Sequence, residues 1–338
     1  MRVKTDLTET ELGEVLRPKL LLFLSVDLQG SSRLKQEAKL SSESAPIRDL
    51  AWLPEIFAFF KDFGEELERS EAEIARFRRK LLPMPRPWKI LGDEILYVVE
   101  LAHRREAALH LTALARAISA RNKPAPEKKT MPVKGSAWIA GFPVANTVVP
   151  LEDGGQDYLG ASMDTGFRLG ALATPRMMAL SADLTWLLLA AGSRGIDSRL
   201  FYDGRRHLKG IGDTNGYPLL LFDTGASSLQ KSEDHLIHRK PCDRTRLKAF
   251  CEAYILEQGF PRHLPFISSD SRLSRAPASY NDWIDGAEAL LRRIFIVTAD
   301  SEPPASPGGT ATRQAIEHDI QQVELPAPRR KPKHRRDN

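Results

Sequence analysis

Two segments, each with an aspartate at or just past the end of an apolar run, constrain the fold of this chain more than any other feature. The first, KLLLFLSVDLQGSSRLK, spans residues 19–35 and carries Asp27. The second, WKILGDEILYVVE, spans residues 88–100 and carries Asp93. Nearly continuous apolar runs predict strands that are buried on both faces. If these strands are neighbours, the two carboxylates meet at one edge of a sheet.

Paired carboxylates beside a Gly–Ser segment are typical of a site that binds a metal ion and phosphate. Mg²⁺ and Mn²⁺ prefer carboxylate oxygen, and Mg²⁺ commonly uses one or two carboxylates together with the phosphates of its substrate. Gly30, Ser31 and Ser32 open a predicted helix, where glycine permits close backbone approach and free N–H groups attract phosphate. The alternative is that one aspartate caps a helix and the other occupies a hairpin turn. The combination favours the phosphate site.

Composition indicates an ordinary globular protein. The chain has 338 residues, 42% of them hydrophobic, and two cysteines that form neither a disulfide framework nor a metal-ligand spacing. No apolar run reaches the roughly 18 residues of a membrane span. The N-terminus is polar, so we expect a cytoplasmic protein without a membrane partner. Much of the net charge of +5 lies in the last segment, RRKPKHRRDN, which lacks aromatic residues, so nucleic acid is not expected as a partner.

The sequence divides into four parts. Residues 1–18 form a polar N-terminal lead-in, and residues 19–225 contain the predicted strands of the main domain. Residues 226–298 are predicted to be a helical extension. Residues 299–338 are rich in Pro, Gly, Ser and charge, which predicts a disordered basic tail.

Within the main domain, helical spacing of apolar residues predicts two helices, at about 48–64 and 67–82. Gly92 and Asp93 form the predicted turn of a hairpin. The segment LEDGGQDYLG, residues 151–160, is interpreted as a loop that leads into a helix at about 160–173.

Four motifs, in order, resemble those of class III nucleotidyl cyclases. FLSVDLQGSSRLK resembles the first metal motif of that family, and KILGDEILY resembles the second, at the turn of the following hairpin. DYLGASMDTGFRLGALATPRMMALS resembles the segment that carries Gly, Asn and Arg before a short strand. HLKGIGDTNGYPLLLF resembles the final hairpin, which carries a transition-state lysine. The motifs extend over most of residues 19–223.

The resemblance implies an α+β fold: a ferredoxin-like βαββαβ core of the class III cyclase type with added strands, followed here by a C-terminal helical extension. The order of predicted strands and helices is consistent with this arrangement. The resemblance also implies a homodimer with composite active sites, because in this family each site takes parts from both chains.

The resemblance implies the chemistry as well. A nucleoside triphosphate binds with two divalent metal ions, Mg or Mn, and the ribose 3′-oxygen attacks the α-phosphorus while pyrophosphate leaves. Asp27 and Asp93 are expected to bridge both metals, one of which activates the 3′-hydroxyl while the other holds the leaving phosphates. Gly30, Ser31 and Ser32 are expected to cradle the triphosphate.

Three further residues match family positions that act in the transition state or on the ribose. Arg168 matches the transition-state arginine and Lys209 the lysine, and both are expected to come from the partner subunit. The family usually has Asn four residues before the arginine, where this chain has Asp164. An ionised Asp accepts a hydrogen bond but does not donate one, so the ribose contact differs here.

Lys89 and Asp157 occupy the family's base-reading positions, and a Lys–Asp pair there resembles that of adenylyl cyclases. Polarity alone does not choose the base, since adenine, cytosine and uracil all offer a donor beside an acceptor. Trp88 and Phe167 stand where purine cyclases often have smaller residues. Their bulk could fill the space of a purine's second ring and so favour a pyrimidine; the alternative is that both rings simply pack in the core, as aromatic rings usually do.

The long helical insert between the metal motifs and the lack of a recognisable sensor domain resemble the pyrimidine cyclases of bacterial anti-phage Pycsar systems. That resemblance implies a uridylate or cytidylate cyclase, with UTP favoured and CTP next, whose cyclic product is read by a separate effector protein. The alternatives are an adenylyl cyclase and a catalytically silent cyclase fold that binds a nucleotide.

Overall fold

The computed structural model of the chain describes residues 2–40, 52–78, 82–123, 131–211, 215–259 and 261–300. Nearly all of the predicted basic tail, residues 299–338, therefore lies outside the described residues. Contacts along the chain define one unit from Met1 to Thr298 and a second from Ala299 to Asn338.

Strands and helices are interspersed along the first unit. The strands are β1 Asp6–Thr8, β2 Lys19–Leu28, β3 Arg86–Leu91, β4 Glu94–Glu100, β5 Val133–Phe142, β6 Asn146–Pro150, β7 Gln156–Gly160, β8 Met177–Leu180, β9 Leu200–Arg206, β10 Tyr217–Asp223 and β11 Ile296–Thr298. The helices are α1 Glu9–Leu16, α2 Ser31–Leu40, α3 Leu53–Arg78, α4 Glu106–Arg121, α5 Ala161–Leu169, α6 Ala182–Ala191, α7 Ser228–Leu236, α8 Arg244–Glu257 and α9 Tyr280–Ile294.

The main sheet has seven strands in the order β3-β4-β2-β5-β8-β10-β9. Its first part, from β2 through α3, β3, β4 and α4 to β5, has the βαββαβ sequence of a ferredoxin-like core. Within this part, β2 is an interior strand and pairs antiparallel with both β4 and β5. The predicted α+β fold, with a ferredoxin-like core, added strands and C-terminal helices, is confirmed.

The register of β2 explains why its sequence is apolar and yet ends in a polar site. Phe23 lies opposite Trp138 of β5, and Asp27 lies opposite Lys134. Because side chains alternate, Phe23, Ser25 and Asp27 share one face of the sheet. Phe23 is fully buried and Asp27 is only partly buried, so this face passes from core to solvent toward the end of the strand.

Helix α5 covers that face closely because of one glycine. An added Cβ at Gly166 would lie 2.2 Å from the Trp138 ring, so no larger residue fits without moving the helix. Trp138 in turn stacks on Phe23, with ring centroids 5.4 Å apart. The close approach fixes α5 against β5 and β2.

Several elements differ from the sequence-based expectation. The helices expected at 48–64 and 67–82 are one helix, α3, over its described length. The expected loop at 151–160 contains the second strand of a hairpin, β6–β7. β1 and β11 pair in parallel, which joins the lead-in to the end of the helical extension. Among the described residues, no helix combines the length and the apolar character that crossing a membrane requires.

Candidate active site

The structure brings Asp27 and Asp93 together at the end of β2. Asp27 is the penultimate residue of β2, opposite Glu94 at the start of β4. Asp93 lies in the two-residue turn between β3 and β4, and its carbonyl accepts a hydrogen bond from Leu28 N at 3.4 Å. The predicted hairpin turn therefore places its carboxylate beside the strand end.

The negative charge of Asp27 is only partly offset by neighbouring groups. Burial raises the pKa of its carboxyl above the usual value, and the nearby Asp93 carboxylate adds to this effect. Lys134 opposes it, with its Nζ 3.3 Å from Asp27 Oδ2. Since the charged form of Asp27 remains disfavoured in the folded chain, an additional cation near it would be stabilising.

Asp93 is better supported by donors. Ser31 Oγ donates to Asp93 Oδ2, and Lys35 Nζ donates to Oδ1 at 3.1 Å. Burial alone would raise the pKa of Asp93, but these two contacts hold it below its usual value. The pKa of the Asp93 carboxyl therefore lies below that of the Asp27 carboxyl.

The Gly–Ser segment adjoins this pair. Gly30 adopts a positive φ of 87°, which allows the chain to turn from β2 directly into α2. Ser31 is buried and is bound to Asp93, whereas Ser32 is exposed. Of the predicted phosphate-binding residues, Ser31 thus also orients a carboxylate.

Glu94 and Lys134 were not among the sequence-predicted site residues. Ser25 Oγ donates to Glu94 Oε1, and burial raises the pKa of the Glu94 carboxyl. Lys134 Nζ also donates to the Gly170 carbonyl at 3.0 Å, just beyond α5. Both residues pair with Asp27 across the sheet. The signal that would have found them is strand register, which a single sequence does not display.

The donor set at this strand end fits a divalent cation. Asp27 and Asp93 offer carboxylate oxygens at one place, which suits Mg²⁺ or Mn²⁺. Within the residues that the structure describes, no group of three or more His, Cys, Asp or Glu side chains has metal-binding geometry. A cation here would need additional oxygen ligands from a bound molecule or from water.

Lys89 and Asp157 form a bidentate ion pair. Lys89 Nζ lies 2.9 Å from Asp157 Oδ1 and 2.8 Å from Oδ2, which joins β3 to β7. Backbone N–H of Tyr158 also donates to Asp157 Oδ1, at 3.0 Å. The predicted base-reading residues are therefore neighbours, and each is about one quarter exposed or less at its side chain.

Aromatic rings adjoin this ion pair. Trp88 Nε1 donates to the Gln156 carbonyl at 2.9 Å, which fixes the indole. Its ring lies 5.1 Å from that of Tyr158 and 6.1 Å from that of Phe167. Lys89 Nζ lies 5.1 Å from the centroid of the Trp88 ring. Trp88 is partly buried, while Phe167 remains 37% exposed, so the cluster is partly core and partly surface.

Arg168 and Lys209 lie near one another. Arg168 Nη2 is 3.5 Å from the position that a Cβ on Gly210 would occupy, immediately after Lys209. Lys209 is exposed in the connection between β9 and β10, not on a strand. Arg168 Nε is buried and has no hydrogen-bond partner among the described residues. Asp164 is exposed one turn earlier on α5, and within the described chain no ion pair joins it to Arg168.

No protein-family model matches this chain, and no curated protein matches it. The solved structures that resemble its fold include catalytic domains of adenylyl and guanylyl cyclases. One is the guanylate cyclase domain of RhGC from Catenaria anguillulae in complex with GTP, at 10% identity, with 62% of this chain and 100% of that chain covered and a TM-score of 0.42.

Two bacterial structures are similar to the same part of the chain. The adenylate/guanylate cyclase/hydrolase from Silicibacter pomeroyi is 17% identical, covers 62% of this chain and 99% of its own, and has a TM-score of 0.40. The adenylyl cyclase CyaB from P. aeruginosa is 14% identical, with 63% and 97% covered and a TM-score of 0.36. Identities and TM-scores this low do not transfer an activity to this chain.

Proposed function

We propose that this chain is a nucleotide cyclase that converts a pyrimidine nucleoside triphosphate to its 3′,5′-cyclic monophosphate and pyrophosphate. UTP is the favoured substrate and CTP the next. The observation that carries the proposal is the meeting of Asp27 and Asp93 at one strand end, beside the Gly30 turn and Ser31.

Asp27 and Asp93 would hold the metal ions in this proposal. When bound, two divalent cations, Mg or Mn, supply the positive charge that activates the ribose 3′-hydroxyl and neutralises the departing pyrophosphate. Ser31 orients Asp93 through its hydroxyl, and Lys35 holds the other oxygen of the same carboxylate. Gly30 and Ser32 leave backbone and hydroxyl groups at the start of α2 for the triphosphate.

Positioning and charge do most of the remaining work, because in-line attack on the α-phosphorus leaves the protein little covalent chemistry. Arg168 and Lys209 would stabilise the charge of the transition state from the partner subunit of a homodimer. Arg168 Nε supports this role, because this buried donor has no hydrogen-bond acceptor within the described chain. Asp164 would contact the ribose as an acceptor.

Lys89 and Asp157 would read the base. Uracil offers a ring N–H to Asp157 and a carbonyl to Lys89, so both partners of the observed ion pair find a substitute partner. The fixed Trp88 indole and Phe167 occupy space near the pair. We infer that this bulk disfavours the second ring of a purine. The anti-phage role, with a separate effector protein that reads the product, rests on the organisation of the sequence.

Incubation of the purified protein with each of the four nucleoside triphosphates and Mn²⁺ tests the proposal. We expect cyclic UMP as the main product, with less cyclic CMP. Conversion of ATP alone would contradict the pyrimidine assignment and support an adenylyl cyclase, which the Lys89–Asp157 pair also permits. Binding of nucleotide without turnover of any triphosphate would identify a catalytically silent cyclase fold.

A further inference from the structure

Each of the two carboxylates at the end of β2 has a lysine ammonium beside it. Lys134 Nζ, from the start of β5, lies 3.3 Å from Asp27 Oδ2. Lys35 Nζ, from α2, lies 3.1 Å from Asp93 Oδ1. Two positive charges therefore lie where the divalent cations are proposed to bind, so the ammonium groups and a metal ion would compete for the same carboxylate oxygens.

These two lysine contacts are looser than the other lysine–aspartate pair of the site. Lys89 Nζ contacts both oxygens of Asp157, at 2.9 and 2.8 Å. The contacts of 3.3 and 3.1 Å exceed the roughly 2.7–2.9 Å that is typical of charge-assisted hydrogen bonds. The side chains of Lys134 and Lys35 are also 19% and 31% exposed, so solvent and ligands reach them. A ligand can therefore displace both ammonium groups from the carboxylates.

Both lysines have other contacts that keep them close to the site. Lys134 Nζ donates to the Gly170 carbonyl at 3.0 Å. Lys35 Nζ lies 5.6 Å from the centroid of the Trp52 ring. Lys35 also follows Ser31 by one helical turn, so it lies on the same side of α2 as that residue of the first turn. The backbone N–H groups of that turn attract phosphate, which places Lys35 next to a phosphate-binding position.

The charges of this group favour a cation that arrives together with phosphate. A bare divalent cation that took the carboxylate oxygens would leave Lys35 and Lys134 unpaired beside its own positive charge, which is unfavourable. A cation that carries a polyphosphate supplies anionic oxygens to both displaced ammonium groups. The metal–polyphosphate complex therefore fits this group of charges better than the metal ion alone.

We propose that Lys35 and Lys134 bind the phosphates of the substrate. In the free chain each lysine neutralises one carboxylate, and on binding each contacts a phosphate oxygen while the cation takes its place. This inference rests on the function proposed above and names the form of the substrate, a triphosphate already complexed with its divalent cation. Arg168 and Lys209 are proposed to act from the partner subunit, whereas Lys35 and Lys134 belong to the chain that carries the carboxylates.

Isothermal titration calorimetry of the full chain tests this proposal without any turnover. The titrants are MnCl₂ alone and the preformed complex of Mn²⁺ with inorganic triphosphate, which carries the phosphates but no base. We expect the wild-type chain to bind the complex about tenfold or more tightly than Mn²⁺ alone, because only the complex provides new partners for the lysines.

Removal of either lysine charge should shift the two affinities in opposite directions. In Lys134→Met and in Lys35→Met, we expect Mn²⁺ alone to bind about tenfold more tightly and the complex about tenfold less tightly. A lysine that only supports the fold would weaken both. Lys134→Arg keeps the charge and should stay within about threefold of wild type. Lys231→Met, on the exposed surface of α7, is the matched control.

The outcomes separate this inference from the proposed cyclase activity. Equal affinity of the wild-type chain for both titrants would overturn it, as would unchanged affinities or two losses in both methionine variants. Turnover of a nucleoside triphosphate by a chain whose variants show no opposite shifts would overturn only the role of the lysines. Opposite shifts in a chain that turns over no nucleoside triphosphate would support that role and contradict only the cyclase proposal.

Discussion

Asp270 and Asp27 are both at least partly buried, but the hydrogen-bond donors around their carboxylates differ. Asp270, in the helical extension, is fully buried and accepts hydrogen bonds from Arg104 N at 2.8 Å, Arg272 N at 2.9 Å and the Arg104 guanidinium. Asp27, at the end of β2, has Lys134 at 3.3 Å and lies beside another carboxylate, Asp93. The first is saturated with donors and the second is not.

Their titration reflects that difference. Burial by itself would raise the pKa of Asp270, but the donors around it hold the value at about 2. Burial also raises the pKa of Asp27, and there the raised value persists. A saturated buried carboxylate joins parts of the fold, whereas an unsaturated one at a strand end is available to a cation from solution. We therefore assign a structural role to Asp270, and we propose that Asp27 binds a cation.

Loss of a carboxylate at the end of β2 should have the largest effect on activity. Asp27→Asn and Asp93→Asn should each lower cyclase turnover by on the order of 10³-fold or more, because the metal charge stabilises the transition state by several kcal/mol. The melting temperature should change little. Cyclic nucleotide formation with Mn²⁺, followed by chromatography, gives the measurement. Turnover within threefold of wild type in either variant would refute the metal assignment.

Loss of the Asp270 carboxylate should instead lower stability and leave activity unchanged. Asp270→Ala leaves the Arg104 guanidinium buried without its partner, which typically destabilises a fold by about 3 kcal/mol or more. Urea unfolding would measure this loss. At a temperature where the variant remains folded, its turnover per folded chain should match wild type. A stability equal to wild type would show that Asp270 does not join the extension to the core.

The aromatic bulk beside Lys89 is expected to limit the size of the base that the site accepts. Trp88→Ala opens space near Lys89 and Phe167, so the ratio of ATP to UTP conversion should rise by about tenfold. Phe57→Ala, an exposed ring on α3, is the matched control and should leave the ratio unchanged. A ratio that does not move in Trp88→Ala would assign that ring to the core alone.

Mixed chains test whether the two groups of residues belong to different subunits. Asp93→Asn and Arg168→Ala chains should each be inactive alone. In an equal mixture, random pairing leaves one intact site in half of the dimers, so activity should return to about a quarter of wild type. No recovery after confirmed subunit exchange would count against a site shared between chains.

The smallest expected effect is on the free energy of unfolding at acid pH. Because the pKa of Asp270 is lowered on folding to about 2, its stabilising contribution is present above the ordinary Asp pKa and is lost as pH falls toward 2. The free energy of unfolding of wild type should therefore decline more steeply below pH 4 than that of Asp270→Asn. Urea titrations at pH 6, 4 and 3 would compare the slopes, and parallel slopes would contradict the assignment.

The sequence predicted the features that depend on local signals. The apolar run of β2 and the Gly92–Asp93 turn are encoded within short segments, and the β3–β4 hairpin follows from them. The sequence did not identify Glu94 and Lys134 as site residues. Their place beside Asp27 depends on strand register, which is known only when the three strands are aligned.

Long-range contacts explain the remaining differences. The pairing of β1 with β11 joins segments almost three hundred positions apart, and each strand is only three residues long, so no local pattern indicates that they pair. The β6–β7 hairpin was missed because the Gly- and Asp-rich turn dominates its sequence and hides the short strands. The tie between Arg104 and Asp270 likewise follows from tertiary packing and has no sequence signature.

Calorimetry can show directly whether Asp27 and Asp93 bind cations together with a triphosphate. Calorimetry of Mn²⁺ binding should be performed with a non-cyclisable UTP analogue on wild type, Asp27→Asn, Asp93→Asn and the control Asp203→Asn. We expect Mn²⁺ binding that depends on the analogue in wild type and Asp203→Asn, and loss of this binding in the other two variants. Unchanged Mn²⁺ binding in Asp27→Asn and Asp93→Asn would contradict it.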